Sequence, residues 1–430
     1  MGGNIKNLGW RVTFAGLSIN LALGILYTWS VISNGIPAEW GWTEVQKALP
    51  YSIACIVFAI MMVPAGRIQD RIGPRWVALA GGVAVGAGMI MTSFVSSVAG
   101  FVLGFGVLAG AGIGMAYASA TPPAVKWFPP KRTGLIAGIV VSGFGLASVY
   151  ISPLAKYLIG TYGVQTSLLI FGSAFLLVVS AFSQLLVNPP AGFKPESSTG
   201  GGSAGKSAPA SQAKDYSWQE MLKTPQFYAL WVMYAFGAGA GLMIIGKLAK
   251  IVNIQAGMTK GFWMVAILAV GNAAGRVIAG VLSDRIGRTM TMFIVFLFQA
   301  AMMFSLPFVS TPAVFVIISM ILGFNYGANL SLFPSATKDF FGMKNFGVNY
   351  GLVFTAWGVG GLVLPIVSGK VFDATGSFDL AYTIAGICLL IAAGLSFTVK
   401  APTTDGQIVH TFKKPGKLEV GGPATEKATR

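Results

Sequence analysis

Residues 66–75 read GRIQDRIGPR, and residues 280–288 read GVLSDRIGR. Each stretch follows a long apolar run, and the aspartates that they share, Asp70 and Asp284, are 214 residues apart. One such stretch is a charged hairpin. The same stretch at the same place in two parts of the chain predicts a duplicated fold, in which two units of the same topology follow one another.

The composition of the 430-residue chain predicts that these units lie in a membrane. Hydrophobic residues make up 54% of the chain and charged residues only 10%, whereas soluble domains carry about 25% charged residues. A helix that crosses a bilayer needs ~20 mostly apolar residues. Stretches that meet this condition predict an all-α membrane protein with twelve transmembrane helices, at 9–32, 47–66, 76–96, 99–123, 133–154, 164–187, 226–249, 261–281, 289–309, 312–334, 346–368 and 378–399.

The twelve predicted helices divide six and six around a polar segment. Its residues 197–205, SSTGGGSAG, cannot build a core and are typical of a flexible linker. A second repeated feature relates the halves: the glycines at the start of helix eleven, Gly347 and Gly351, correspond to Gly134 and Gly138 of helix five. A short helix is expected over 217–224, with Pro225 at the next helix start. The predicted organisation is an N-terminal half 1–188, a cytoplasmic linker 189–224, a C-terminal half 225–400 and a cytoplasmic tail 401–430.

The lysines and arginines predict the orientation, because cytoplasmic loops of membrane proteins carry an excess of them. Clusters fall on one side of the predicted helices, and this side also carries both termini. We therefore expect a multi-pass protein of the cell membrane with both termini in the cytoplasm, a monomer in contact with lipid. The clusters are Arg67, Arg71 and Arg75; Lys126, Lys131 and Arg132; Arg285 and Arg288; Lys338 and Lys344.

Several function classes are excluded by what the sequence lacks. The net charge of +16 is spread over short loops, without the basic groove and interleaved aromatics of a nucleic-acid-binding protein. The two cysteines lie in apolar stretches and the single histidine, His410, in the polar tail, so no metal site is predicted. No nucleophile with a base and no nucleotide loop occurs. We expect neither an enzyme nor a cofactor.

Arg276 is the most informative residue, because ionisable groups at membrane depth are costly and mark functional sites. It lies in the predicted eighth helix, and its counterpart 214 residues earlier is Met62. The duplicated scaffold therefore does not require this charge. A guanidinium can bind a planar carboxylate through two parallel hydrogen bonds. Asn272 lies one turn earlier on the same face and is expected either to orient Arg276 or to contact the substrate. The alternatives are a structural ion pair for Arg276 and a helix–helix hydrogen bond for Asn272.

The repeated loops resemble the signature loop of the major facilitator superfamily. The resemblance covers nearly the whole chain and implies two six-helix halves that rock against each other around a site near the midplane. In that family the loop is a conformational latch. In physical terms, the first glycine is expected to allow close helix approach, the aspartate to cap a neighbouring helix, and the later glycine to permit a tight turn. The expected latch residues are Gly66, Asp70, Arg71, Gly73, Arg75, Gly280, Asp284, Arg285, Gly287 and Arg288.

Polar residues of helices one, four and ten extend the candidate site, because these helices commonly line the cavity in that superfamily. Tyrosine hydroxyls can donate hydrogen bonds to an anion while their rings exclude water, although ordinary packing is an equally good interpretation of any one tyrosine. The candidates are Tyr27, Tyr117, Asn325, Tyr326 and Asn329.

Four further stretches resemble one branch of the superfamily, the monocarboxylate transporters together with the oxalate/formate antiporters. The resemblance implies that Arg276 matches the helix-eight arginine of both groups, and that Tyr27, Tyr117 and Tyr326 match aromatic positions of the oxalate carrier. The stretches are KWFPPKR at 126–132, followed by Gly134; EMLKTPQF at 220–227; LFPS at 332–335; and NYG at 349–351.

Two departures from this branch shape the expected function. Trp357 stands where the oxalate carrier has a second cation, a lysine, so a second carboxylate would be buried unpaired. Asn272 stands where animal proton-coupled transporters have an aspartate, and their helix-one lysine has no counterpart in 24–33. We therefore expect a secondary transporter of monocarboxylates such as lactate or pyruvate, with protons co-transported on the substrate carboxyl or on Glu39 or Glu44. The alternatives are an oxalate/formate-type anion exchanger and a non-transporting receptor on the same scaffold.

Overall fold

The structure is a computed structural model that describes residues 7–129, 133–190, 193, 215–342 and 345–399. Most of the predicted linker and the predicted tail lie outside the described residues. So do Lys131, Arg132, Lys344 and His410.

Long helices account for nearly all of the described chain, as predicted. We number the membrane-crossing helices α1 to α12. Two depart from regular α geometry: α1 contains a 3₁₀ segment at Gly24–Thr28, and α4 a π-helical segment at Val102–Ala109. The bounds are α1 Gly9–Asn34, α2 Glu44–Ile72, α3 Pro74–Ser93, α4 Val98–Lys126, α5 and α6 together Thr133–Ser183, α7 Pro225–Ala256, α8 Phe262–Ile286, α9 Arg288–Ser305, α10 Pro312–Phe341, α11 Phe346–Thr375 and α12 Asp379–Thr398.

Gly163 explains why α5 and α6 form one helical stretch. Its backbone, with φ 78° and ψ 170°, is far from helical and separates two spans within Thr133–Ser183. The described residues therefore contain eleven continuous apolar helices and twelve crossings, which confirms the predicted fold class. Large apolar side chains such as Phe298, Val277 and Leu177 project outward, as lipid-facing surfaces require.

The repeated stretches are helical for most of their length. The prediction ended helix two at residue 66 and helix eight at 281, but α2 continues to Ile72 and α8 to Ile286. The sharp turns come at Gly73 and Gly287, where φ is 91° and 95°. Because only glycine adopts this conformation without strain, the expected tight turn is present in both halves.

The remaining expectations for the two stretches are met only in part. A Cβ at Gly66 would meet no atom within 4 Å, so the close helix approach expected there is absent. Asp284 bonds to the side chain of Arg288, Oδ1 to Nη1, at 2.7 Å and not to a helix N–H group. A short helix does precede α7, at Trp218–Met221, and Pro225 lies in the first turn of α7.

The halves meet along three pairs of helices. α2 packs against α11, α5 against α8, and the end of α1 against α7. We call the side with the turns at Gly73 and Gly287 the loop end, and the opposite side, where α2 begins, the Glu44 end. The arginine clusters predict that the loop end is cytoplasmic.

Four glycines join α8 and α10 unusually closely. They are Gly271 and Gly275 of α8 and Gly323 and Gly327 of α10, and a Cβ at any of them would overlap a backbone carbonyl of the opposite helix. Gly275 faces the carbonyl of Phe324 and Gly327 that of Asn272. Small residues allow such close backbone approach in membranes. Because α8 and α10 carry Arg276 and Tyr326, this contact fixes the two candidate residues relative to each other.

Replacing Gly275 with alanine should separate these helices. We expect Gly275→Ala to lower the free energy of unfolding by about 1–3 kcal/mol, because the added methyl overlaps backbone that cannot yield. The matched control is Gly138→Ala in α5, where a Cβ would meet nothing within 4 Å. There the change should be neutral or stabilising by up to ~1 kcal/mol. Denaturant unfolding in detergent measures both, and equal stabilities of the two variants would contradict the prediction.

Candidate functional site

Arg276 lies near the middle of α8, at the boundary between the halves. It is 14 residues from Phe262 and 10 from Ile286, which corresponds to roughly 21 Å and 15 Å at 1.5 Å per residue. The side chain is half-buried. Its Nη1 donates a hydrogen bond of 2.9 Å across the boundary to the carbonyl of Val141 in α5. A positive charge therefore lies deep in the membrane span and bridges the two halves.

Asn272, four residues earlier on the same helix, is a hydrogen-bond partner of the guanidinium. Arg276 Nε donates to Asn272 Oδ1 at 3.0 Å, and Asn272 is fully buried. Because the amide oxygen accepts from Arg276, the amide Nδ2 is directed elsewhere. The side chain of Arg276 is thus oriented by an uncharged acceptor.

Two buried N–H donors at this place have no acceptor among the described residues. They are Nη2 of Arg276 and Nδ2 of Asn272. A buried donor without an acceptor costs about 1–3 kcal/mol, more when charged. Arg276 and Asn272 are hydrogen-bonded to each other, and each has one free donor. Two such donors are the kind of partners that the two oxygens of a carboxylate can accept from. Gly145 of α5 brings backbone close to the guanidinium, since a Cβ there would lie 3.4 Å from Nη2.

Three of the predicted residues meet in one hydrogen-bonded chain. The hydroxyls of Tyr27 in α1 and Tyr326 in α10 are 2.6 Å apart, which joins the halves. Trp357 of α11 donates from Nε1 to the Tyr326 hydroxyl at 2.9 Å. All three side chains are at most 3% exposed. The three predicted residues are therefore in contact with one another across the boundary.

Aromatic rings surround the hydrogen-bonded chain and include the fourth predicted residue, Tyr117. Phe58 of α2 packs on both Tyr117 and Trp357, with ring centroids 5.3 Å and 5.2 Å apart. Phe144 of α5 packs on Tyr27 at 4.9 Å and on Tyr117 at 5.4 Å. We call these six residues, Tyr27, Phe58, Tyr117, Phe144, Tyr326 and Trp357, the aromatic cluster. It excludes water from the boundary between the halves.

Asn325 and Asn329 are placed differently from the prediction. Asn329 donates from Nδ2 to the Asn325 carbonyl at 3.1 Å, and its side chain lies against Gly237 of α7. Gln299 of α9 donates to the same glycine's carbonyl at 3.2 Å. Within the described residues, neither asparagine hydrogen-bonds with Arg276, Asn272 or the aromatic cluster. The bond from Gln299 to Gly237 joins α9 to α7, and Asn329 lies against the same glycine. The Nδ2 of Asn325 is buried without a hydrogen-bond partner among the described residues.

The predicted latch residues lie towards the loop end, and Gly280, the nearest of them on α8, is four residues from Arg276. In the C-terminal half, Arg288 joins Asp284 and also Asp339 of α10, the latter at 2.9 Å. In the N-terminal half, the Arg75 guanidinium lies over the Trp76 ring, 5.2 Å from its centroid. The arrangement fastens the turn between α8 and α9 to α10, whereas the corresponding charges around Asp70 are exposed.

Sequence reasoning missed three parts of the site. The Val141 carbonyl bears no side-chain signal, and Phe58 and Phe144 are indistinguishable in sequence from ordinary packing residues. The third is the burial of Lys247, which is only 3% exposed. The signal was helix length: α7 runs on to Ala256, so Lys247 lies nine residues, about 14 Å, inside its end.

Comparisons with known proteins agree with this architecture. The sequence model of the Major Facilitator Superfamily matches residues 12–262 and 257–421. Among curated relatives, the oxalate:formate antiporter of Oxalobacter formigenes is 28% identical over 407 residues, which is 92% of each chain. Monocarboxylate transporter 13 of Rattus norvegicus is 24% identical over 424 residues, 97% of this chain and 94% of the relative.

A solved structure shares the fold. It is the crystal structure of a bacterial homologue of the human lysosomal transporter Spinster, in an inward-facing and unoccupied conformation. The TM-score is 0.65 at 16% identity, with 93% of this chain and 98% of that chain covered. At this identity the likeness concerns the fold alone.

Replacing Asn272 with aspartate should make carboxylate binding strongly pH-dependent. A carboxylate at this position would pair with Arg276 and compete with an anionic ligand, so binding would require proton uptake. We expect the affinity of Asn272→Asp for lactate to fall by up to roughly tenfold per unit rise in pH. Asn272→Ala, which adds no charge, should bind more weakly without this slope. The measurement is the lactate-induced rise in the unfolding midpoint across a pH series, and parallel pH profiles for both variants would refute the prediction.

Proposed function

Because the chain belongs to the Major Facilitator Superfamily, we propose that it is a secondary transporter that carries small monocarboxylates by alternating access. The observation that carries the proposal is the pair of buried, unsatisfied donors on Arg276 and Asn272 at the mid-membrane boundary between the halves. Relatives named oxalate:formate antiporter and monocarboxylate transporter support organic anions as the substrate class. These relatives are named as transporters and not as enzymes, and the proposal involves no catalytic step.

The charges favour one carboxylate per substrate. Arg276 has no carboxylate partner among the described residues, so the site offers one uncompensated positive charge. Lys247, the other deeply buried cation, is already paired with Glu44 at 2.9 Å. Trp357 fills the place of a second cation with an apolar ring. A dicarboxylate would leave one buried charge unpaired, at a cost of several kcal/mol.

Binding at Arg276 is linked to the contact between the halves. Nη1 now donates to Val141 of the N-terminal half. A carboxylate that takes two parallel hydrogen bonds from the guanidinium uses the free Nη2 together with Nη1, and so competes with the Val141 carbonyl for Nη1. Substrate binding therefore exchanges a direct contact between halves for a contact through the substrate, which is how a ligand favours a change between two conformations.

We propose proton-coupled symport as the transport mode, with the loop end in the cytoplasm and the protein in the cell membrane. Asn272 cannot titrate, and Glu44 is paired with lysines, which leaves the substrate carboxyl and Glu39 as the carriers of the proton in this scheme. Asn272 also favours a second candidate, exchange of one anion for another. With no acid beside it, Arg276 stays uncompensated in the empty protein, which disfavours return without a substrate.

Proteoliposomes distinguish the two modes. Symport predicts that an inward proton gradient drives labelled lactate above its equilibrium distribution with no anion inside. Exchange predicts uptake only after the vesicles are loaded with an unlabelled monocarboxylate. Uptake that needs the internal anion and ignores the proton gradient would reject symport and leave the substrate class intact.

Arg276→Lys tests the geometry of recognition. Lysine keeps the charge but cannot form two parallel hydrogen bonds. We expect lactate uptake to fall about 10- to 100-fold, the loss that corresponds to one charged hydrogen bond. The matched control is Arg11→Lys, the same substitution at an exposed position, which should transport normally. Equal uptake by both variants would assign Arg276 a structural role.

Trp357→Lys tests the substrate's charge. A second cation beside Tyr326 should let oxalate and malonate compete with lactate, which we expect them not to do in the parent. Trp357→Met, which removes the indole without adding a charge, is the control for lost packing. The measurement is inhibition of labelled lactate uptake by a panel of mono- and dicarboxylates. Strong oxalate inhibition of the parent protein would contradict the monocarboxylate assignment.

A further inference from the structure

A cluster of opposite charges joins the halves at the Glu44 end. Glu44, the first residue of α2, accepts from Lys247 of α7 at 2.9 Å and from Lys250 of the same helix at 2.6 Å. Lys47 of α2 lies 3.2 Å from the same carboxylate. Glu44 is 5% and Lys247 3% exposed. One carboxylate of the N-terminal half thus binds two lysines of the C-terminal half, of which Lys247 is buried and Lys250 partly exposed.

A second carboxylate crosses the boundary in the opposite direction. Asp373 of α11 accepts from the backbone N–H groups of Glu44 at 2.7 Å and Val45 at 2.9 Å. These are free donors of the first turn of α2. Gly369 permits the approach, because a Cβ there would lie 2.9 Å from the Glu44 carbonyl and the Val45 backbone. Tyr51 adds a bond of 3.1 Å to the carbonyl of Leu242 one level deeper. The Glu44 end is closed by these contacts.

If α2 and α7 move apart at this end, the charged residues of the cluster are divided between the two halves according to the helix that carries them. Glu44 and Lys47 belong to α2 and remain together as a neutral pair. On the C-terminal side, the Lys250 ammonium lies over the ring of Phe372, 4.1 Å from the ring centroid. Phe372 is the residue before Asp373. Asp373 loses its two N–H donors on opening and can pair with Lys250. This assignment leaves Lys247 as the one cation of the cluster without a carboxylate.

We propose that Lys247 is an entry site for the substrate's carboxylate, which Glu44 occupies while the Glu44 end is closed. A deeply placed cation strongly favours an anionic partner once its own is withdrawn. In the opened form the incoming anion takes the position of the Glu44 carboxylate on Lys247 and then passes to Arg276. When the substrate leaves Lys247, the ammonium is free to take Glu44 back and close this end. The inference rests on the proposed carboxylate transport.

Side-specific transport kinetics test the proposal. Lys247→Met should raise the KM for lactate presented at the Glu44 end about tenfold, because one charged contact is lost, and leave the KM at the loop end unchanged. Lys250→Met is the matched control: the same substitution on the same helix, at another lysine bonded to Glu44. It should leave both values within about twofold of the parent. Right-side-out and inverted vesicles present the two ends. Labelling of a Trp218→Cys cysteine, exposed at the loop end, reports their orientation.

Glu44→Gln gives an independent readout that keeps Lys247. Without the competing carboxylate, lactate at the Glu44 end should bind more tightly, with a KM below that of the parent. Equal KM values for Lys247→Met and Lys250→Met at that end would overturn the proposal, as would a raised KM for Glu44→Gln. If Lys247→Met does not fold, the Glu44→Gln result alone decides. A parent protein without saturable, Arg276-dependent lactate uptake would instead reject the proposed function.

Discussion

The guanidinium of Arg276 must find hydrogen-bond acceptors in the middle of a membrane, where water supplies none. Asn272 supplies one from the same helix and Val141 another from the opposite half, and one nitrogen is left over. The glycine contact between α8 and α10 fixes the helix of Arg276 against the helix of Tyr326, and the aromatic cluster lies at the same boundary between the halves. Two acceptors, one from each half, stabilise the buried guanidinium in the folded protein. The remaining donor, Nη2, has no acceptor among the described residues and is available to an anion.

The distribution of charge gives the two buried cations different roles. Lys247 has Glu44 as a partner from the other half, so its charge is compensated and contributes to closing one end. Arg276 has only uncharged acceptors, so its charge remains available at the centre. Had Asn272 been an aspartate, the centre would also be compensated and would need a proton to release the guanidinium. A single amide in place of a carboxylate therefore leaves the positive charge of Arg276 uncompensated and available to an incoming anion.

Most of the fold was accessible from the sequence because its determinants are local. Apolar run length predicted twelve crossings, and the two glycines at the ends of the repeated stretches predicted the turns at Gly73 and Gly287. Helix ends were the weak point, since amphipathic termini such as residues 66–72 continue the helix with charged side chains. Asn329 lies on a helix of the boundary, and its side chain contacts Gly237 of α7. Which face is turned inward depends on tertiary packing, and the Val141 carbonyl, being backbone, leaves no mark in the sequence.

The contacts of Arg276 and Glu44 share one physical feature that bears on how the halves move. In each, a group of one half is satisfied by a group of the other that an anion's carboxylate can replace: the Val141 carbonyl at Arg276 and the Glu44 carboxylate at Lys247. A buried contact of this kind cannot simply be broken, because the exposed donor would be left unsatisfied in a low-dielectric interior. It can be exchanged for an equivalent contact with a ligand. In the proposed mechanism, the free energy of separating the halves falls when the anion supplies the substitute acceptor, which couples their movement to the presence of the anion.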